Sequence, residues 1–141
     1  MKALRNAIYA KCAGSSLDAL INGQIFYGKV PAGTRYPYVV FFRVTGSQEW
    51  TFTENFDSPL VQFSVFSATA TSSDEAHEIA DAIKSLYDEC SLSVTGETFL
   101  YMWLVNVIGP IDDDSISQDG ADGGWACHLD FEVKTQVASG A

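Results

Sequence analysis

The sequence predicts an α+β fold: a mostly antiparallel sheet of about four to five strands, with helices packed on one face. Three observations carry that prediction. Apolar residues recur at three- and four-residue steps in two separate stretches, the period of a helix with one buried face. Elsewhere aromatic and β-branched residues form runs or alternate with polar ones, the pattern of strands. The strands follow one another in groups rather than alternating with helices, which points to hairpins and so to antiparallel pairing. The chain has 141 residues, 47% of them hydrophobic and 18% charged. That is material enough for a core, since a chain of about 150 residues buries about 68–70% of its unfolded surface. With no repeat or linker in view, one domain is expected over residues 1–141, with an acidic loop at 109–124.

The first helix is read from Leu4, Ile8 and Cys12 at steps of four, with Ala3, Ala7 and Ala10 as good helix formers and Gly14 as the stop. Ser15 followed by Asp18 is an N-cap signal for a short second helix through Leu17, Leu20 and Ile21, closed by Asn22-Gly23. Residues 24–30 read as a short strand broken by Pro31-Ala32-Gly33, and residues 36–45 as a β-rich run with Pro37 at its start or on an edge. Gly46-Ser47 and Asp57-Ser58-Pro59 are expected to turn. Between them, residues 49–56 are expected to form a strand or extended arm, with Trp50, Phe52 and Phe56 on one face.

Residues 60–67 alternate, Val61, Phe63 and Val65 against Gln62 and Ser64. Ser72 and Glu75 form a capping-box pattern. A helix over about 73–90 then follows from Ala76, Ile79, Ala80, Ile83, Leu86, Tyr87 and Cys90. Residues 99–108 are nearly all apolar, which predicts a central strand covered on both faces. Residues 125–137 alternate, Leu129, Phe131 and Val133 against His128, Asp130, Glu132 and Lys134. The intervening 109–124 carries five aspartates and no base, and is expected to be a mobile hairpin loop.

Charge is unevenly placed. The formal net charge is −10, yet residues 1–43 hold six bases and one acid, while the rest holds two bases and seventeen acids. An acidic chain lacks the Lys and Arg that replace phosphate counterions, so electrostatic capture of nucleic acid is not expected. Cys12, Cys90 and Cys127 are odd in number and without CxxC spacing; they read as small buried hydrophobes in a reducing setting, not as a disulfide or zinc framework. No stretch reaches the about 20 apolar residues that span a bilayer, and the N-terminus shows no secretory pattern.

No catalytic, cofactor or metal site is expected. Asp112, Asp113, Asp114, Asp119 and Asp122 are hard oxygen ligands, but an EF-hand frame from Asp112 meets Ile116 at its fifth place and no Glu at its twelfth. Cys127 and His128 are strand neighbours and point to opposite faces, so they cannot act as nucleophile and base. His77 and His128 read as surface or interface residues. The glycines at 120–124 are acidic in setting and precede a strand, which does not suit a phosphate cradle. Tyr36, Tyr38, Phe41 and Phe42 have only Arg35 and Arg43 nearby, too few bases for a single-strand stacking platform.

The block Ile25-Phe26-Tyr27-Gly28-Lys29-Val30-Pro31, closely followed by Arg35-Tyr36-Pro37-Tyr38-Val39-Val40-Phe41, resembles the opening of the tail-terminator (tail-completion) family of long-tailed bacteriophages. Val61-Gln62-Phe63-Ser64-Val65-Phe66-Ser67, the helix containing Glu78-Ile79-Ala80-Asp81-Ala82-Ile83, and His128-Leu129-Asp130-Phe131-Glu132-Val133 are similar to its middle and end, in the same order. The acidic stretch from Asp112 to Gly124 and the Trp125-Ala126-Cys127 strand entry depart from that pattern. The resemblance implies a non-enzymatic virion subunit of the tail neck, assembled in the host cytoplasm. It implies a homo-oligomeric, hexameric ring at the head-proximal end of the tail tube, which stops tube polymerisation and receives the head. Its partners would be the tail tube protein and a head–tail connector or neck protein, with DNA passing through unbound and no membrane involved. A head-completion or connector-side neck protein is the alternative. On this reading Arg35, Arg43, Tyr36 and Tyr38 are candidate subunit-interface residues. Asp112, Asp113, Asp114, Asp119, Asp122, Asp130 and Glu132 are candidates for the pore or a docking loop.

Overall fold

The structure is a computed structural model that describes residues 2–50, 55–69 and 72–137. Three helices and a mixed sheet of five strands give an α+β fold. The helices are α1 (Lys2–Cys12), α2 (Ser16–Ile21) and α3 (Asp74–Tyr87). The strands are β1 (Ile25–Tyr27), β2 (Tyr38–Trp50), β3 (Asn55–Ser67), β4 (Glu97–Asp112), the two-residue β5 (Ser117–Gln118) and β6 (Ala121–Asp122), and β7 (Trp125–Val137). The main sheet runs β1-β2-β3-β7-β4, with β1 parallel to β2 and every other pairing antiparallel. β5 and β6 form a separate small hairpin.

All three helices lie on one face. Leu4 and Ile8 of α1, Leu17 and Ile21 of α2, and Ile79, Ile83 and Tyr87 of α3 share one buried cluster with Val39, Phe41, Val61, Phe63, Val65, Leu129, Phe131 and Val133 of the sheet. At its centre Phe63 packs on Phe41, Tyr87 and Phe131, with ring centroids 5.5, 4.8 and 5.3 Å away. The Tyr87 hydroxyl donates to the Ile8 carbonyl at 2.8 Å, tying α3 to α1 where both are buried. Cys12 and Cys127 belong to this core, and burial raises all three thiol pKa values.

The caps of α2 form as the sequence predicts. The Asp18 amide donates to Ser15 Oγ, and Asn22 takes the left-handed conformation at φ 52° while the Gly23 amide closes on the Asp18 carbonyl. The capping box of α3 does not form. Ser73 is its N-cap, Ser72 Oγ instead accepts from the Asp74 amide, and Glu75 turns away to accept from Ser67 Oγ at 2.6 Å.

Three strand expectations are corrected. β2 and β3 run straight through the predicted turns, pairing Gly46 with Pro59, Ser47 with Ser58 and Gln48 with Asp57. A proline is tolerated inside this sheet because the ladder between β3 and β7 skips Ser58 and Pro59. Of the expected arm over 49–56, residues 49–50 end β2 and residues 55–56 begin β3, with Glu49 opposite Phe56 and Trp50 opposite Asn55; residues 51–54, Phe52 among them, lie outside the described residues. The strand predicted over 24–30 stops at Tyr27, where Gly28 adopts φ 71°. Finally, the apolar 99–108 is not central. It is most of β4, an edge strand interrupted by three bulges, and its Trp103, Val105, Val107 and Ile111 are 47%, 53%, 48% and 47% exposed.

Candidate assembly surfaces

The side of the sheet away from the helices carries a polar ladder. Gln62 Nε2 donates to Asp130 Oδ1 at 2.8 Å, and Asn106 Nδ2 donates to Asp130 Oδ2 at 3.4 Å, joining β3, β7 and β4. Two residues along, on the same face, Ser64 Oγ and His128 Nδ1 are 2.8 Å apart. Glu132 lies on the same face, because strand residues two apart share a side. Phe66 packs on Tyr38, which stacks on Tyr36 at 5.0 Å. Burial, then the neighbouring Tyr36, pushes the Tyr38 hydroxyl up to about 12.

The acidic loop is a hairpin, as the sequence predicts, and it is held by its own backbone and by the stretch before β2. Asp119 and Gly120 both have positive φ, 54° and 81°, the geometry of a two-residue type I′ turn that Asp-Gly favours. That turn closes β5 on β6, and Ile116 beside it is 2% exposed. The Gly123 amide donates to the Ile116 carbonyl at 2.7 Å and the Asp113 amide to the Gly124 carbonyl at 2.9 Å. The hairpin then docks on the stretch before β2. Gln118 Oε1 accepts from the Tyr36 amide at 2.8 Å, and Asp119 takes both guanidinium nitrogens of Arg35 at 2.7 and 3.2 Å. Arg35 holds the Asp119 carboxyl below its ordinary value, and two hydrogen bonds from Ser115 do the same for Asp113.

The two candidate groups thus meet within one subunit. Arg35 and Tyr36, expected at a subunit interface, contact Gln118 and Asp119 of the acidic loop. Asp112, Asp113, Asp114, Asp119 and Asp122 gather at one end of the sheet, while Asp130 and Glu132 lie midway along β7. Arg43 is on β2 beside its bulge. Among the described residues, no three His, Cys, Asp or Glu side chains come together as a metal site.

The family model for tail completion protein gp17 matches residues 6–106. The chain belongs to that family. A tail completion protein is a structural component of the phage tail, and hence of the virion. A search of curated proteins gives no match. Among solved structures, the chain is similar to one from the virion of a native gene transfer agent particle, at TM-score 0.74 and 20% identity over 94% of each chain. That likeness shows a shared fold.

The largest group of exposed apolar side chains among the described residues lies on β4, where the sequence predicts a covered strand. β4 reads as buried because its residues are apolar on both sides; nothing in the sequence says that this chain leaves it at an edge. The segment 109–124 was legible as a hairpin loop, and the Asp-Gly pair at 119–120 is the signal that places its turn.

Proposed function

We propose that this tail completion protein forms a hexameric ring on the head-proximal end of the tail tube, stops tube polymerisation and presents the surface on which the head docks. The observation that carries the proposal is the match of the tail completion family over residues 6–106, which takes in all three helices and four of the five strands of the main sheet wholly or in large part. The chain acts without catalysis, as one domain whose surfaces do the work.

The ring is a head-to-tail assembly, in which one patch of each subunit meets a different patch of the next. Arg43 and Tyr38 lie towards the subunit joint. Arg35 and Tyr36 act there indirectly, by holding the acidic loop in place. Asp130 and Glu132, on the helix-free face, line the bore, where their charge repels DNA phosphates and lets the genome pass without sticking. The loop bearing Asp112, Asp113, Asp114, Asp119 and Asp122 faces the docking neighbour, the head–tail connector or neck protein. Electron microscopy of the purified chain, alone and mixed with tail tubes, tests the reading. Six-fold rings seated on one tube end are expected; tubes with bare ends beside unassembled chain would overturn it.

A further inference from the structure

We propose that β1 of one copy of this chain meets the middle of β4 of the next, with Tyr27 and Phe26 against Val107 and Ile108, and with Lys29 and Arg5 turned towards Asp88 and Glu89. The inference rests on the ring reading and names the joint within it.

Among the described residues eight large hydrophobics stand exposed, and six of them are on β4. The connection from α3 closes on the proximal half of that strand. The Glu89 amide donates to the Met102 carbonyl at 2.9 Å and the Leu104 amide to Asp88 Oδ1 at 2.9 Å, while Leu92 and Val94 of the same connection are buried. Beyond it Val105, Val107, Ile108 and Ile111 remain exposed, and no charged side chain stands between 105 and 111. An apolar edge of this kind invites another chain unless charge or cover blunts it.

The strand pairings fix what lies level with that span at the other edge of the sheet. Val107 faces Leu129, which faces Phe63, then Phe41, then Tyr27 of β1. Ile108 leads in the same way through His128, Ser64 and Val40 to Phe26. Residues at one level share a face of the sheet, so Tyr27 and Val107 lie on the helix side, with Phe41, Phe63 and Leu129, and Phe26 and Ile108 on the other. A neighbour rotated about an axis along the strands keeps both level and face, which sets its Tyr27 beside Val107 and its Phe26 beside Ile108. Because β1 and β4 are the two ends of the sheet, every copy offers both halves, and repeating the contact closes a ring. Sheets twist, so the two edges cross instead of forming a ladder. A three-residue β1 and a β4 bulged on either side of Val107 suit such a contact, which side chains carry. Charge follows the same register. β1 runs opposite to β4, so the chain past Tyr27 reaches the level of Leu104. There Lys29 is exposed, and Arg5 stands over the Tyr27 ring, 5.9 Å from its centroid. Across the joint stand Asp88, held on the Leu104 amide, and the exposed Glu89. A twofold joint of β4 on β4 about Ile108 would instead bring Asp112 to Leu104 and so to Asp88, acid against acid, which costs affinity.

Two readouts test the joint. Lys29→Glu and Glu89→Lys, both exposed changes, are each expected to raise the half-assembly concentration about tenfold at low salt by light scattering, and the double variant to recover most of that loss. In a Cys90→Ser background, Cys12 and Cys127 being buried, Phe26→Cys and Ile108→Cys chains are mixed and oxidised. A mixed disulfide dimer is expected where neither variant alone gives one; should circular dichroism show that Phe26→Cys does not fold, the charge exchange decides. Single variants that assemble as wild type, a double variant no better than either single, or self-linking of Ile108→Cys alone would overturn the joint while leaving the ring standing. A wild-type chain that stays monomeric alone and on tail tubes would overturn the ring and this joint with it.

Discussion

At the scale of single residues, the core is governed by Phe63, which touches aromatic rings from β2, α3 and β7 at once. Phe63→Ala removes that keystone, and chemical denaturation should show a loss of about 3–5 kcal/mol. The alternation of Val61, Phe63 and Val65 made this residue legible in the sequence as core; its ring partners were not, because they come from segments far apart in the chain. Asp119 is the reverse case. It reads as solvated charge, yet it is held by Arg35 across the fold at 2.7 Å. Both side chains are well exposed, so the pair orders the loop more than it stabilises the protein. Its carboxyl pKa is depressed, so the docking contribution is present above the ordinary value of 3.8 and is lost only as pH falls through the lower folded value. Protection of the amides at residues 117–122, measured against their intrinsic exchange rates, should therefore hold through neutral and mildly acidic pH and fall below the usual carboxylate range. Arg35→Gln should return the Asp119 pKa toward 3.8 in an NMR titration.

At the scale of elements, helices were the most legible, because their period and caps are local. α1, α2 and α3 all lie where the spacing of Leu4, Leu17 and Ile79 puts them. Strand limits were less so, because pairing overrides turn propensity: Gly46 and Pro59 read as breakers, but face each other inside a long hairpin. Strand order was not legible for β4, since hydrophobicity reports a need for cover and not which chain supplies it. The loop hairpin depends on Gly124, where an added Cβ would overlap the Ser67 carbonyl oxygen and the Ile116 side chain. Gly124→Ala should cost about 1–3 kcal/mol in thermal or chemical unfolding and loosen the loop. A variant as stable as wild type would show that the loop seats differently.

For the whole molecule, the separation of charge along the chain becomes a separation across the sheet. Bases Arg5, Lys29 and Arg43 accompany the β1–β2 edge, and acids bracket β4. Part of that polarity is satisfied within the subunit through Arg35 and Asp119; on the proposed reading, charge of opposite sign at the two edges helps to order neighbours head to tail. Ring assembly should accordingly weaken with added salt, and charge reversal at Arg43 should weaken assembly at low salt and flatten that dependence, as light scattering at graded ionic strength would show. On the proposed reading Asp130 and Glu132 line the bore and act only by repelling DNA, so replacing both by the corresponding amides should leave ring formation intact. The central claim, that the ring ends tube growth, is tested most directly by the lengths of tail tubes polymerising with and without this chain. The account predicts that tubes stop lengthening once the chain is added and carry it at one end. Tubes that keep growing at an unchanged rate would contradict it.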